Sequence, residues 1–155
     1  MADPVVAAIA FDGISPFHLS VPCLVFGADR TTLGLPRFDF RVCAIENGPI
    51  RTDAGLTISV PHGLSALDDA DIVIVPSWKN LGISPPTTLI EALLGAHERG
   101  ALIVGLCLGT FAVAATGLLS GRRAATHWAY ADQLQELYPT FSSNQKCSTS
   151  TMAMS

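Results

Sequence analysis

Short apolar runs punctuate the chain. Residues 5–11 (VVAAIAF), 71–76 (DIVIVP) and 101–106 (ALIVGL) are nearly all apolar and only six or seven residues long. Runs of that length without alternation suit strands buried on both faces, as in a parallel sheet. Residues 37–45 (RFDFRVCAI) alternate apolar and polar side chains, which predicts a strand near a sheet edge. Residues 56–60 form a further short strand candidate. Helical periodicity fills the gaps. Ser15 and Pro16 open one helix, with Ser at the N-cap and Pro at the first helical position. Its Phe17, Val21, Leu24 and Val25 share one face. A second helix runs over residues 88–99, where Leu89, Leu93, Ala96 and Leu94, His97 follow the helical period until Gly100 stops it. A third, rich in small residues, covers 108–119 and is closed by Gly121. A last one covers 128–138 and ends at Pro139. Strands alternating with helices predict βαβ units, hence an α/β three-layer sandwich around a mostly parallel sheet.

Composition narrows the function classes. The chain has 155 residues, 49% of them hydrophobic and 14% charged, which supports a substantial core and fits one domain over residues 1–141. Residues 142–155 (SSNQKCSTSTMAMS) are polar and aperiodic and read as a disordered tail. The nine Lys and Arg are scattered and the net charge is −4, so this chain carries no footprint for nucleic acid. The four cysteines, Cys23, Cys43, Cys107 and Cys147, lack metal-ligand spacing and read as free thiols of a reducing compartment. No basic segment precedes the first apolar run, and that run is too short to span a bilayer. The expectation is a cytoplasmic protein with no membrane partner, no metal and no cofactor.

The most informative segment is Val104 to Phe111. Its G-x-C-x-G form places Cys107 between a buried strand and a helix, with Gly105 and Gly109 two positions to either side. A nucleophile elbow needs small residues there, because the turn is sharp and its side chain projects above the carboxyl ends of the strands. The N–H groups at the start of the following helix then predict a lowered thiol pKa. Asp12 and Trp78 fall at the carboxyl ends of two other strands, where open α/β folds bind ligands, and both are candidates for lining that crevice. The bland readings are a turn-forming Asp and ordinary loop packing. His62 and His97 read as structural, and Arg122 and Arg123 as a solvated turn.

The stretch GLCLGTFAVAATGLLSGRRAATHW, from Gly105 to Trp128, resembles the ThiJ/PfpI branch of the class I glutamine amidotransferase-like superfamily. More narrowly it is similar to the sub-branch fused to AraC-type helix-turn-helix domains, the GlxA-like regulators. FDGISPFHLSVPCLVFGADR (11–30), LPRFDFRVCA, ADIVIVPSW and the YADQL segment extend the likeness over residues 5 to about 139. The resemblance implies a flavodoxin-like fold with Cys107 as elbow thiol. It also implies His127 as the imidazole that relatives place near the thiol. Active members have a His directly after the Cys, where this chain has Leu108. A Glu usual in the first helix is replaced by His18. Leu108 also falls among the candidate ligand-contacting positions, with Gly105. Acyl transfer needs a base within hydrogen-bond reach of its nucleophile. The resemblance therefore favours a non-enzymatic sensor of a small metabolite, an amide or amine. It also implies a homodimer, with DNA contacted only through a C-terminal domain. The alternatives are a cysteine-dependent hydrolase or hydratase of the PfpI or isonitrile hydratase kind, and a redox-responsive thiol protein.

The tail adds one expectation from the genetic code. GlxA-like regulators continue past this point with a strand resembling PEVLYVDDGDV. A plausible codon series for residues 144–155, read from its third base, spells that same string. A frameshift near residues 140–144 is therefore expected to have truncated the domain at its C-terminus.

Overall fold

The structure, a computed structural model, describes residues 2–140, 142–143 and 151–154. The first apolar run forms strand β1 (Val5–Ala10), and Pro16 opens helix α1 (Pro16–Phe26). The alternating segment forms β2 (Asp39–Ala44). A short hairpin follows, of β3 (Ile50–Arg51) and β4 (Thr57–Ile58). Then come β5 (Ile72–Val75), α2 (Thr87–Glu98), β6 (Leu102–Leu106) and α3 (Gly109–Ala115). The chain continues through β7 (Arg123–Ala124), α4 (Ala131–Leu137), β8 (Ser142–Ser143) and β9 (Thr151–Met154).

The main sheet has the order β2-β1-β5-β6-β9. The first four strands are parallel and β9 is antiparallel to β6. From β1 the chain crosses leftward to β2 through α1, and from β5 rightward to β6 through α2. Right-handed crossovers in opposite directions put these helices on opposite faces, which gives the expected three layers. Both faces of β1 are buried: Ala7 and Ile9 enter one cluster with Leu89, Leu93 and Phe111, while Val6 and Ala8 enter another with Ile74 and Val104. That double burial explains why the apolar runs lack alternation.

Several elements differ from the sequence expectation. The shared face of α1 is not core: Phe17 and Leu24 are 71% and 67% exposed, and the buried residues are Leu19 and Pro22. The third helix stops at Ala115, and Gly117 turns with a φ of 81°. The segment 128–138 opens with a 3-10 turn at Trp128–Tyr130 before α4. Residues 56–60 supply only the two-residue β4, paired antiparallel with β3. The tail read as disordered contributes β8, paired with β7, and β9, paired with Ile103 to Leu106. Beyond β5, β6 has a second edge of backbone N–H and C=O groups, and an extended segment satisfies it through its backbone alone. The tail's other residues, 144–150 and 155, lie outside the described residues. Among the described residues no helix is long and apolar enough to cross a membrane.

The burial difference between α1 and α2 has a measurable consequence. Leu93 is fully buried on α2, so Leu93→Ala leaves a cavity and lowers unfolding stability in urea by about 2–5 kcal/mol. Leu24→Ala on the exposed face of α1 changes it by less than about 0.5 kcal/mol.

Candidate functional site

Cys107 sits at the carboxyl end of β6 with a φ of 50°, in the left-handed region that non-glycine residues rarely occupy. The neighbouring glycines make this turn sterically feasible. A Cβ on Gly105 would lie 2.9 Å from the Thr110 nitrogen, and one on Gly109 would run into the Val75 carbonyl. The start of α3 therefore rides directly on the end of β5, and only a hydrogen fits between them. Thr110, fully buried, donates its hydroxyl to the Ala125 carbonyl at 2.9 Å. Thr126 donates its hydroxyl to the Cys107 carbonyl, also at 2.9 Å. These two bonds tie the 124–127 segment, and with it His127, to the backbone of the turn.

His127 is half-buried and caps the 3-10 turn: its Nδ1 accepts from the Ala129 N–H at 3.2 Å. A neutral imidazole bonded this way carries its proton on Nε2. Its ring contacts Trp128 and Tyr130, at centroid distances of 5.6 and 5.7 Å. His18 lies in the first turn of α1, and its Nδ1 is buried with no hydrogen-bond partner among the described residues. Burial pushes the His18 pKa below the ordinary value of 6.5; Asp53 works against that shift and His127 adds to it. The structure thus brings His18 and His127 within electrostatic reach of one another. Neither is hydrogen-bonded to Cys107 Sγ.

The lowered thiol pKa expected at Cys107 is corrected. Burial pushes the thiol above its ordinary value, and the Leu108 N–H bonded to the sulfur only partly offsets this. Helix α3 has seven residues, so its aligned dipoles supply little positive potential against desolvation. Leu108 itself is half-buried against the core, where an imidazole would be needed to draw off the proton.

Asp12 and Trp78 lie at the carboxyl end of the sheet, but their polar atoms are placed differently. The Asp12 carboxylate accepts the Arg51 N–H at 2.9 Å, its N–H donates to Glu46 Oε2 at 3.1 Å, and its carbonyl accepts from Lys79 Nζ. Gly13 donates to the Arg51 carbonyl at 2.7 Å and Asp53 donates to the Ile14 carbonyl at 3.3 Å. Asp12 therefore stitches the β3–β4 hairpin to the loop before α1. Trp78 is 7% exposed and packs on Phe11 at 4.9 Å, and its indole N–H is unpartnered among the described residues. Lys79, on the same loop, holds its ammonium 5.6 Å from the Phe11 ring centroid. Sequence reasoning passed over Asp53, Lys79, Thr110 and Thr126. Thr126, adjacent to His127 in the T-H-W run, was the one with a local signal.

A parallel α/β domain with a thiol on a left-handed strand-to-helix turn is a recognised architecture of ligand sites at sheet ends. The chain belongs to the DJ-1/PfpI family, which it matches over residues 5–152. It is 30% identical over 142 residues to the uncharacterized protein of the cpoL 5' region of Streptomyces lividans, covering 87% of this chain and 95% of that protein. It is 29% identical over 110 residues to the HTH-type transcriptional regulator CdhR of Pseudomonas aeruginosa, covering 70% of this chain but 32% of CdhR. It is 27% identical over 90 residues to isonitrile hydratase of Pseudomonas putida, covering 57% of this chain and 40% of that enzyme. Among solved structures, an AraC family transcriptional regulator from Pseudomonas putida superimposes with a TM-score of 0.71 at 19% identity, covering 91% of this chain and 76% of that one. Drosophila melanogaster DJ-1beta superimposes with a TM-score of 0.76 at 16% identity, covering 94% and 76%. At those identities the structures show a shared flavodoxin-like fold.

Two measurements probe the turn. Gly109→Ala drives a methyl into the Val75 carbonyl and lowers stability by about 3 kcal/mol in urea unfolding. Iodoacetamide labelling, resolved by peptide mass spectrometry, modifies Cys107 more slowly than free cysteine at neutral pH. Its rate rises at a more alkaline pH than that of the free thiol, because only the thiolate reacts.

Proposed function

We propose that this chain is the small-molecule-sensing domain of an AraC-type transcriptional regulator and works without turnover. The observation that carries the reading is the state of Cys107. Its thiol is held neutral by burial, Leu108 follows it, and no imidazole is hydrogen-bonded to it. A nucleophile elbow lacking an engaged base keeps the geometry of a ligand pocket without the proton transfer that acyl chemistry requires. The similarity to CdhR supports the regulator class. The ligand, an amide or amine, would bind at the carboxyl ends of β1, β5 and β6. Cys107, Leu108 and Gly105 would lie beneath it, and His18, His127 and Trp78 around it. The unpartnered Nδ1 of His18 and N–H of Trp78 offer a hydrogen-bond acceptor or donor to such a ligand. DNA contact would belong to the whole regulator, through a helix-turn-helix domain outside residues 1–155. The working form would be a cytoplasmic homodimer.

A second reading is a cysteine-dependent hydratase or hydrolase. It is favoured by the approach of His18 to His127 and by the similarity to isonitrile hydratase. One experiment separates the two. A panel of small amides, amines and isonitriles is screened by thermal shift and assayed for product. A sensor ligand at a hundred times its Kd stabilises the fold by about 2.7 kcal/mol. Under the sensor reading Cys107→Ala keeps that binding within about threefold, a change of less than about 1 kcal/mol. Product formation by the native chain that Cys107→Ala abolishes overturns this reading in favour of the enzyme.

A further inference from the structure

The strand at the opposite margin of the sheet from β9 has an open edge whose sequence complements itself. Among the described residues β2 is terminal in the sheet, paired with β1 and, at its carboxyl end, bridged to His62. Asp39 donates its N–H to the Pro4 carbonyl at 2.9 Å, and Ile45 donates to the Ala10 carbonyl at 3.1 Å. In a parallel ladder, alternate residues turn both backbone groups to the same neighbour. Asp39, Arg41, Cys43 and Ile45 therefore face β1, and Phe40 and Val42 face outward. The carboxyl end of this edge is closed, because Ala44 donates to the His62 carbonyl at 2.8 Å. The outward N–H groups of Phe40 and Val42 have no partner among the described residues. A groove of about 520 Å³, lined by Asp3, Gly27, Arg37, Phe38, Asp39 and Phe40 among others, lies beside the amino end of the edge and keeps it accessible.

We infer that this edge is where two copies of the chain join, β2 against β2, antiparallel about Phe40. In that register each Phe40 exchanges two backbone hydrogen bonds with the Phe40 of the second copy. Asp39 then stands opposite Arg41 of the second copy, and Arg41 opposite its Asp39. The Phe38-Asp39-Phe40-Arg41-Val42 segment thus presents opposite charges at both flanking positions and apolar side chains at the outer ones. The partner is a second copy because the charge order repeats itself only under a two-fold. Within one chain Asp39 and Arg41 already sit 2.6 Å apart, and Asp39 is 47% exposed, so the carboxylate is available to exchange one guanidinium for another. The result is one sheet continuous across two copies. This rests on the homodimer reading above and adds its surface.

The test uses the whole 155-residue chain in sedimentation velocity over a concentration series, with far-UV circular dichroism to confirm folding. Asp39→Arg places like charges opposite one another at both flanking positions, and so does Arg41→Asp; each raises the dimer dissociation constant about tenfold or more. An equimolar mixture of the two variants restores opposite charges at both positions and recovers dimer as a mixed species. Arg41 also bonds Asp69 at 2.7 Å, so Arg41→Asp is the variant at risk of misfolding. Asp39→Lys, which leaves that bond in place, then carries the test, its dimer weakening where Asp39→Asn loses less. Variants that dimerise as tightly as the native chain overturn the surface but leave the homodimer standing. A native chain that stays monomeric at every concentration overturns both.

Discussion

The contact between Gly109 and the Val75 carbonyl governs the rest of the site. It lets α3 start directly on the end of β5, which forces the chain to reverse within one residue after β6. That residue is Cys107, and the reversal holds it at a φ of 50°. A side chain larger than hydrogen at Gly109 would push α3 away from the sheet and relax the turn. The thiol's elevation above the strand ends, its burial and its neighbours all follow from this single close approach. Thr110 and Thr126, through their bonds to the Ala125 and Cys107 carbonyls, then fix where His127 can stand.

The electrostatics of the site are decided by competition rather than by motif. A helix start near a sulfur favours the thiolate, and so does the Leu108 N–H. Burial of Cys107 opposes both and prevails. The same desolvation acts in the opposite sense on His18, where the charged form is the protonated one, and the approach of His127 reinforces it. Burial therefore favours the uncharged form of both the Cys107 thiol and the His18 imidazole.

The hairpin of β3 and β4 docks on the loop between β1 and α1. It adds no strand to the main sheet, yet it sends Ile50 into the core, and two backbone–backbone bonds and the Asp12 carboxylate anchor it to residues 12–14. Through it Asp53 reaches the electrostatic field of His18. The acidic influence on His18 thus comes from a different element of the chain.

The sequence alone determined the four parallel strands β1, β2, β5 and β6, the parallel α/β class and the residue on the turn. Those features are written in local patterns: unbroken apolar runs, helical periods, and glycines two positions either side of Cys107. It also placed β2 near an edge, because its alternation shows one face less buried than those of β1, β5 and β6. What it did not hold were quantities set by residues far apart in the chain. The thiol's raised pKa depends on how far the folded chain buries it. Asp12 proved to be a stitch because Arg51 and Lys79 arrive from 39 and 67 positions away. The apolar face of α1 read like core, and only the packed structure decided that Leu19 and Pro22 turn inward instead. Periodicity reports that a face exists, whereas burial and charge coupling depend on what the fold brings against it.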